Sequence, residues 1–74
     1  MDPVICSVAR TPLGRFSGAV TPLPAMDLGG GVNQAALERA GLPPEQVDEV
    51  LFGHVIQAGQ GQITARQAAR KAGI

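Results

Sequence analysis

The side chains able to do chemistry in this sequence are few. Cys6 is the only cysteine and His54 the only histidine. A thiol becomes a nucleophile where a helix N-terminus or a neighbouring cation stabilises the thiolate. Cys6 sits instead in the apolar run Val4-Ile5-Cys6-Ser7-Val8-Ala9, where a buried thiol acting as a small hydrophobe is the favoured reading. A histidine base needs an orienting partner, and a metal site needs further ligands. No Cys, His or carboxylate cluster stands at ligand spacing, so His54 is expected to be a hydrogen-bonded histidine at a strand end. Asp48 and Glu49 are adjacent. Neighbours on a strand face opposite ways, so this pair is expected to be solvated rather than to share a proton. Arg10 and Arg66 have the chemistry to meet phosphates, but bracing of loops through carbonyls or carboxylates is the commoner use. Gly59-Gln60-Gly61 suggests a phosphate cradle before a helix. The dinucleotide fingerprint would need a third glycine where Thr64 stands and an acidic residue about 20 positions on. A structural crossing loop is therefore expected. No catalytic, cofactor-binding or metal-binding residue is assigned within the chain.

The elements that must position these groups are readable in outline. Residues 4–9 form a nearly continuous β-branched apolar run, as in a strand covered on both faces. Pro12 and Gly14 end it, and residues 15–24 form a loop broken by Pro22 and Pro24. Ala25 to Ala40 reads as a helix, with Leu28, Val32, Ala36 and Ala40 on one stripe and Leu37 widening it. Pro24 suits its start and Gly41 its C′ position, with Pro43 and Pro44 beyond. Gly29-Gly30-Gly31 weakens the first half by about 1 kcal/mol per glycine, unless another backbone approaches there. Pro44 to Val47 is expected to be one short helical turn, and residues 49–56 a second strand. Gly53, Gly59 and Gly61 then punctuate a crossing loop. Thr64-Ala65-Arg66-Gln67 fits a capping box opening a last helix. That helix ends near Ala72-Gly73-Ile74, with Arg70 and Lys71 in its final turn. The order strand, helix, strand, helix predicts an α/β fold, with two parallel strands joined by a right-handed crossover in an incomplete sheet.

Composition narrows the class. The chain has 74 residues, 45% of them hydrophobic, 16% charged and only 3% aromatic, so its core is expected to use Val, Ile, Leu, Ala and Met with Phe16 and Phe52. Six basic and six acidic residues balance. No basic stripe marks a nucleic-acid partner, and no apolar run is long enough for a membrane. One cysteine makes no internal disulfide, which permits a reducing compartment, and a cytoplasmic location is expected. Asp2 and Pro3 do not resemble a secretory leader. One domain at most is expected, residues 1–74, and an incomplete one.

The residues also carry a resemblance. Arg10-Thr11-Pro12-Leu13-Gly14, Leu37-Glu38-Arg39-Ala40-Gly41-Leu42 before Val47-Asp48-Glu49-Val50, and Gly53 through Ala69 followed by Lys71-Ala72-Gly73-Ile74 are similar, in order, to the amino-terminal part of thiolases. The likeness is greatest to the acetyl-CoA acetyltransferase branch. Ile63-Thr64 stands where many relatives have Asn-Pro, and His54 where Asn or Gln is common. The resemblance implies a layered α/β fold and acyl transfer between coenzyme A thioesters, with a nucleophilic cysteine at a helix N-terminus and a later cysteine and histidine for acid–base work. In the family that nucleophile sits in an Asn-x-x-Cys-x-Ser-Gly segment, which falls beyond Ile74. The implied partners are an acyl-CoA substrate of the parent enzyme and the rest of the thiolase chain, as a homo-oligomer when complete. No cofactor is implied for this segment, and the chain alone is expected to be inactive. The competing expectation is a non-catalytic module that pairs with a thiolase subunit or with itself through exposed strand edges.

Overall fold

The computed structural model describes residues 2–20 and 22–74. Met1, and Thr21 within the expected 15–24 loop, lie outside them. Helix α1 spans Ala25–Ala40 and helix α2 spans Thr64–Lys71, with a 3-10 turn at Pro44–Gln46 between them. Pro24 precedes α1 in extended geometry, with φ −66° and ψ 156°. Asp27 lies in the first turn and Arg39 in the last, each sign suited to the end it occupies. Gly41 closes α1 at φ 68°. Its N–H donates to the Glu38 carbonyl at 3.1 Å, and that of Leu42 to Leu37 at 3.0 Å. This double closure satisfies carbonyls that the helix end leaves free, and it uses the left-handed conformation that glycine adopts without strain.

The glycine run proves to be the helix contact. Gly30 is the buried residue of α1. A Cβ added there would lie 2.5 Å from the Lys71 Cβ, and one at Gly29 would lie 3.0 Å from the Ala68 Cβ. Opposite these glycines α2 presents Ala68, Ala69 and Ala72, the buried apolar residues among those described. The core is thus a seam of small residues between two helices. The expected aromatic contribution is not made: Phe16 is 99% exposed and Phe52 42% exposed.

Two expectations at the helix termini are corrected. The start of α2 is flanked by Ile63, with no side-chain cap. The Thr64 hydroxyl is 3.1 Å from the His54 ring instead, and Gln67 donates to the Gln60 carbonyl at 3.3 Å. A capping box needs both side chains turned back onto the helix's own first amides; here both are engaged by the preceding loop. Gly59 and Gly61 do take positive φ, at 74° and 113°. Gly53 does not, and nothing lies within 4 Å of its added Cβ, so it plays neither part expected of it.

The α/β class, with its two parallel strands, is overturned. Among the described residues there is no strand. Backbone hydrogen bonds outside the helices are all local turns and caps, and none joins residues 4–9 to residues 49–56. Residues 4–9 are held to α1 by side chains: the Ser7 hydroxyl donates to the Ala36 carbonyl at 2.7 Å, and Arg39 donates to the Val8 carbonyl at 2.8 Å. The physical reason is cover. A parallel pair is stable inside a sheet buried on both faces, and two strands alone are marginal. Here Ile5 and Leu51, expected inside such a sheet, are 86% and 85% exposed.

The surface measures how much is left uncovered. The chain exposes 6002 Å². A closed monomer of its 7.6 kDa mass would expose about 4,300 Å². The Cα radius of gyration is 13.2 Å, against about 11.3 Å for a compact domain of this length.

Candidate functional site

Two concavities hold the chemistry-bearing residues, and they are separate. The first is a cavity of about 220 Å³ between the first half of α1 and the start of α2. Met26, Leu28, Val32 and Phe52 supply apolar wall, and Thr11, His54 and Thr64 supply polar groups. Thr64 is buried. Its 3.1 Å contact with His54 Nδ1 satisfies a hydroxyl that burial would otherwise leave unpaired. The hydrogen bond expected of His54 is therefore present, although the strand end is not. A histidine paired with a threonine lacks the carboxylate that fixes a catalytic imidazole, and no thiol lines this cavity.

The second concavity runs along the other half of α1. Ile5, Cys6 and Ser7 line it with Asn33, Leu37, Val50 and Leu51. Cys6 is exposed, which corrects the buried thiol expected from the apolar run. The run is apolar, but nothing lies over it. Cys6 and His54 thus line different concavities. Among the described residues, no group of three His, Cys, Asp or Glu side chains is placed to hold a metal ion.

The glycine loop is a brace. The Gln60 side-chain oxygen accepts the Ala25 N–H at 2.8 Å. The Gln60 backbone carbonyl accepts from Gln67 at 3.3 Å, and a local turn brings the Gln60 N–H to the Gln57 carbonyl at 2.9 Å. A phosphate on α1 would need that first-turn amide, and Gln60 already holds it. A Cβ on Gly61 would overlap the Gln67 side chain, so the glycine lets Gln67 close over the loop.

The arginines divide differently from expectation. Arg10 donates only to the adjacent Thr11 carbonyl, at 3.1 Å and in solvent. Arg66 is exposed and lines a groove with Asp27, Arg70 and Lys71. The long-range brace is Arg39, whose sole sequence signal was its place off the apolar stripe. Ser7 and the Asp27–Lys71 ion pair, at 3.1 Å, were also missed. Each depends on a partner 29 or more positions away, which no local pattern encodes. Asp48 and Glu49 are exposed, as expected.

Comparison with known proteins identifies this arrangement. Residues 3–74 match the family model for the thiolase N-terminal domain. The acetyl-CoA acetyltransferase of Cupriavidus necator is 58% identical over 73 residues, covering 99% of this chain and 19% of the relative. The mitochondrial acetyl-CoA acetyltransferase of Xenopus tropicalis is 54% identical over 73 residues, covering 99% of this chain and 17% of the relative. The cytosolic acetyl-CoA acetyltransferase ERG10 of Gibberella zeae is 51% identical over 75 residues, covering all of this chain and 19% of the relative. The chain belongs to the thiolase family, within its N-terminal domain. It spans under a fifth of the length of these curated relatives, which are by name acyltransferases. No helix among the described residues is long and apolar enough to cross a membrane.

Proposed function

We propose that the chain is the amino-terminal segment of an acetyl-CoA C-acetyltransferase, an enzyme that moves acyl groups between coenzyme A thioesters. The observation that carries this reading is identity of 58% across 99% of the chain to a relative of that name. In such an enzyme a cysteine thiolate attacks the thioester carbonyl and expels coenzyme A as its thiol. The acyl group then passes from sulfur to the carbon of a second acetyl-CoA, or in reverse to free coenzyme A. The cysteine is supplied by sequence other than these residues. Cys6 is exposed, lies outside both helices and is in a different concavity from His54, so nothing present activates it. The segment's part is positional: α1 and α2, locked by Gly30 and by Gln60, form a rigid corner on which the rest of the enzyme is built. The coenzyme A thioester is substrate of the complete enzyme, which assembles as a homo-oligomer, and this segment holds no cofactor.

The test replaces the matched residues of the Cupriavidus necator enzyme with this chain and measures acetyl-CoA formed from acetoacetyl-CoA and coenzyme A. Activity in the chimera, and none in the isolated chain, is the expected result. An inactive but folded chimera would overturn the reading, as would turnover by the 74 residues that is lost in Cys6→Ser. Bacterial and cytosolic relatives support the expected cytoplasmic location, whereas mitochondrial relatives carry the same segment; cell fractionation decides between them.

A further inference from the structure

Beyond the family reading lies the question of what the 74-residue chain does with the surface it leaves uncovered. We propose that two copies pair antiparallel about a two-fold axis, residues 4–10 of one against residues 48–56 of the other.

The area is sufficient. The chain exposes 6002 Å², about 1,700 Å² more than a closed monomer of its mass. A standard protein–protein interface takes about 800 Å² from each partner. The excess has an address. Val4, Ile5 and Val8 on one segment, and Leu51, Val55 and Ile56 on the other, are each at least 71% exposed. Ile5, Cys6 and Ser7 share a groove with Val50 and Leu51, so the two segments border one concavity and a single partner reaches both. Among the described residues, no backbone N–H in either segment donates to another backbone group. A row of unpaired donors and acceptors invites pairing with another chain.

Charge selects the partner and the direction. Between Val4 and Ala9, and between Val50 and Ile56, there is no Asp, Glu, Lys or Arg. Charge enters only at the ends: Arg10 closes the first segment, and Asp48 and Glu49 open the second. All three are exposed, and Arg10 is bonded only to its neighbour's carbonyl. Antiparallel alignment sets Arg10 of one copy against Asp48 and Glu49 of the other, and the two-fold axis repeats the contact. Parallel alignment would set Arg10 beside Ile56 instead. A strongly acidic or basic partner would find no matching charge along this apolar face. A second copy meets its complement and, with net charge zero, no long-range repulsion.

The experiment takes the whole chain through light scattering and native mass measurement over roughly 1–100 µM, the weak end of what interfaces of this size reach. Hydrogen exchange is followed at the same concentrations. A dimer is expected, with amides of residues 4–9 and 49–56 gaining protection as concentration rises. Arg10→Glu is expected to weaken it about tenfold through the two symmetric contacts, and adding Glu49→Arg to restore it. Both positions are exposed, so the folded monomer is retained, which circular dichroism checks. A chain that stays monomeric throughout overturns the proposal, as does open-ended association. So does a dimer indifferent to Arg10→Glu or protected elsewhere. Preferential capture by the Cupriavidus necator enzyme lacking its own matched residues, with no homodimer left, assigns the face to that enzyme and overturns it too. Chimera activity reads the family assignment independently of every one of these results.

Discussion

Replacing Gly30 and Gly31 by alanine separates helix propensity from helix contact. The two positions are adjacent in α1 and share its backbone. Propensity alone predicts that each replacement stabilises by about 1 kcal/mol. The surroundings differ. Around Gly31 an added Cβ finds nothing within 4 Å, so Gly31→Ala keeps the whole gain. In a domain of this size that raises Tm by about 4–8 °C. At Gly30 the new methyl would lie 2.5 Å from the Lys71 Cβ and 3.3 Å from the Ala68 carbonyl oxygen. Ordinary carbon contacts stand at about 3.5–4.0 Å, so α1 and α2 must part by about 1 Å. Lys71 has no give there, because Cβ is fixed to its backbone. Overpacking of this kind costs about 1–3 kcal/mol, which outweighs the propensity gain and leaves Gly30→Ala destabilised by about 1 kcal/mol. The assay is thermal unfolding by far-ultraviolet circular dichroism, at one fixed protein concentration because association moves Tm. The expected gap between the variants is about 2 kcal/mol, with opposite signs. Equal stabilisation by both would refute a seam closed on Gly30.

Other outcomes follow from single contacts. Gln60→Ala removes the acceptor that holds the Ala25 N–H at 2.8 Å; a cost of about 1 kcal/mol is expected, with faster hydrogen exchange confined to the first turn of α1. Thr64→Ala leaves the His54 ring without its hydroxyl partner and is expected to cost about 1 kcal/mol in urea unfolding, while Thr64→Ser retains most of it. Asp27→Asn breaks the pair with Lys71, whose side chains are 35% and 58% exposed; solvent screening holds the loss below about 1 kcal/mol, and the difference should vanish in high salt. Cys6, exposed, is expected to react with a thiol reagent in native buffer at low protein concentration, and a requirement for denaturant would place it inside after all.

The helical half of the fold was legible because its signals are local. Pro24 and Gly41 bound α1 within the residues that the periodicity of Leu28, Val32 and Ala36 marks out, and Pro44–Gln46 follows from its proline. The glycine run carried its own explanation, since only an approaching neighbour justifies three successive glycines in a helix. The strands were not legible in the same way. A β-branched run states a preference for cover, and whether cover exists depends on chain elsewhere. Residues 4–9 have the composition of a buried strand and the exposure of a surface segment, and the misplacement of Cys6 follows directly from that. The Thr64 box failed for a related reason. Sequence spacing offered the hydroxyl to the helix's own amides, but His54, ten residues earlier, took it. At the candidate site, the hydrogen bonding of His54 and the bracing role of the glycine loop were readable. The bonds from Ser7, Arg39 and Gln60 to distant backbone were not, since each is decided by how remote pieces settle together. The family motifs survived where the strand prediction did not, because they record residues rather than pairings.

Arg39 performs two tasks at one place. It sits in the turn that Gly41 closes, and its guanidinium moors the chain's opening segment through the Val8 carbonyl. The second mooring, from Ser7, is tied to the Ala36 carbonyl one turn earlier. When the end of α1 frays, both lines slacken together, so the opening segment and the last helical turn should come loose as one unit. A trypsin-like protease cutting after Arg39 would set that segment adrift in a single stroke.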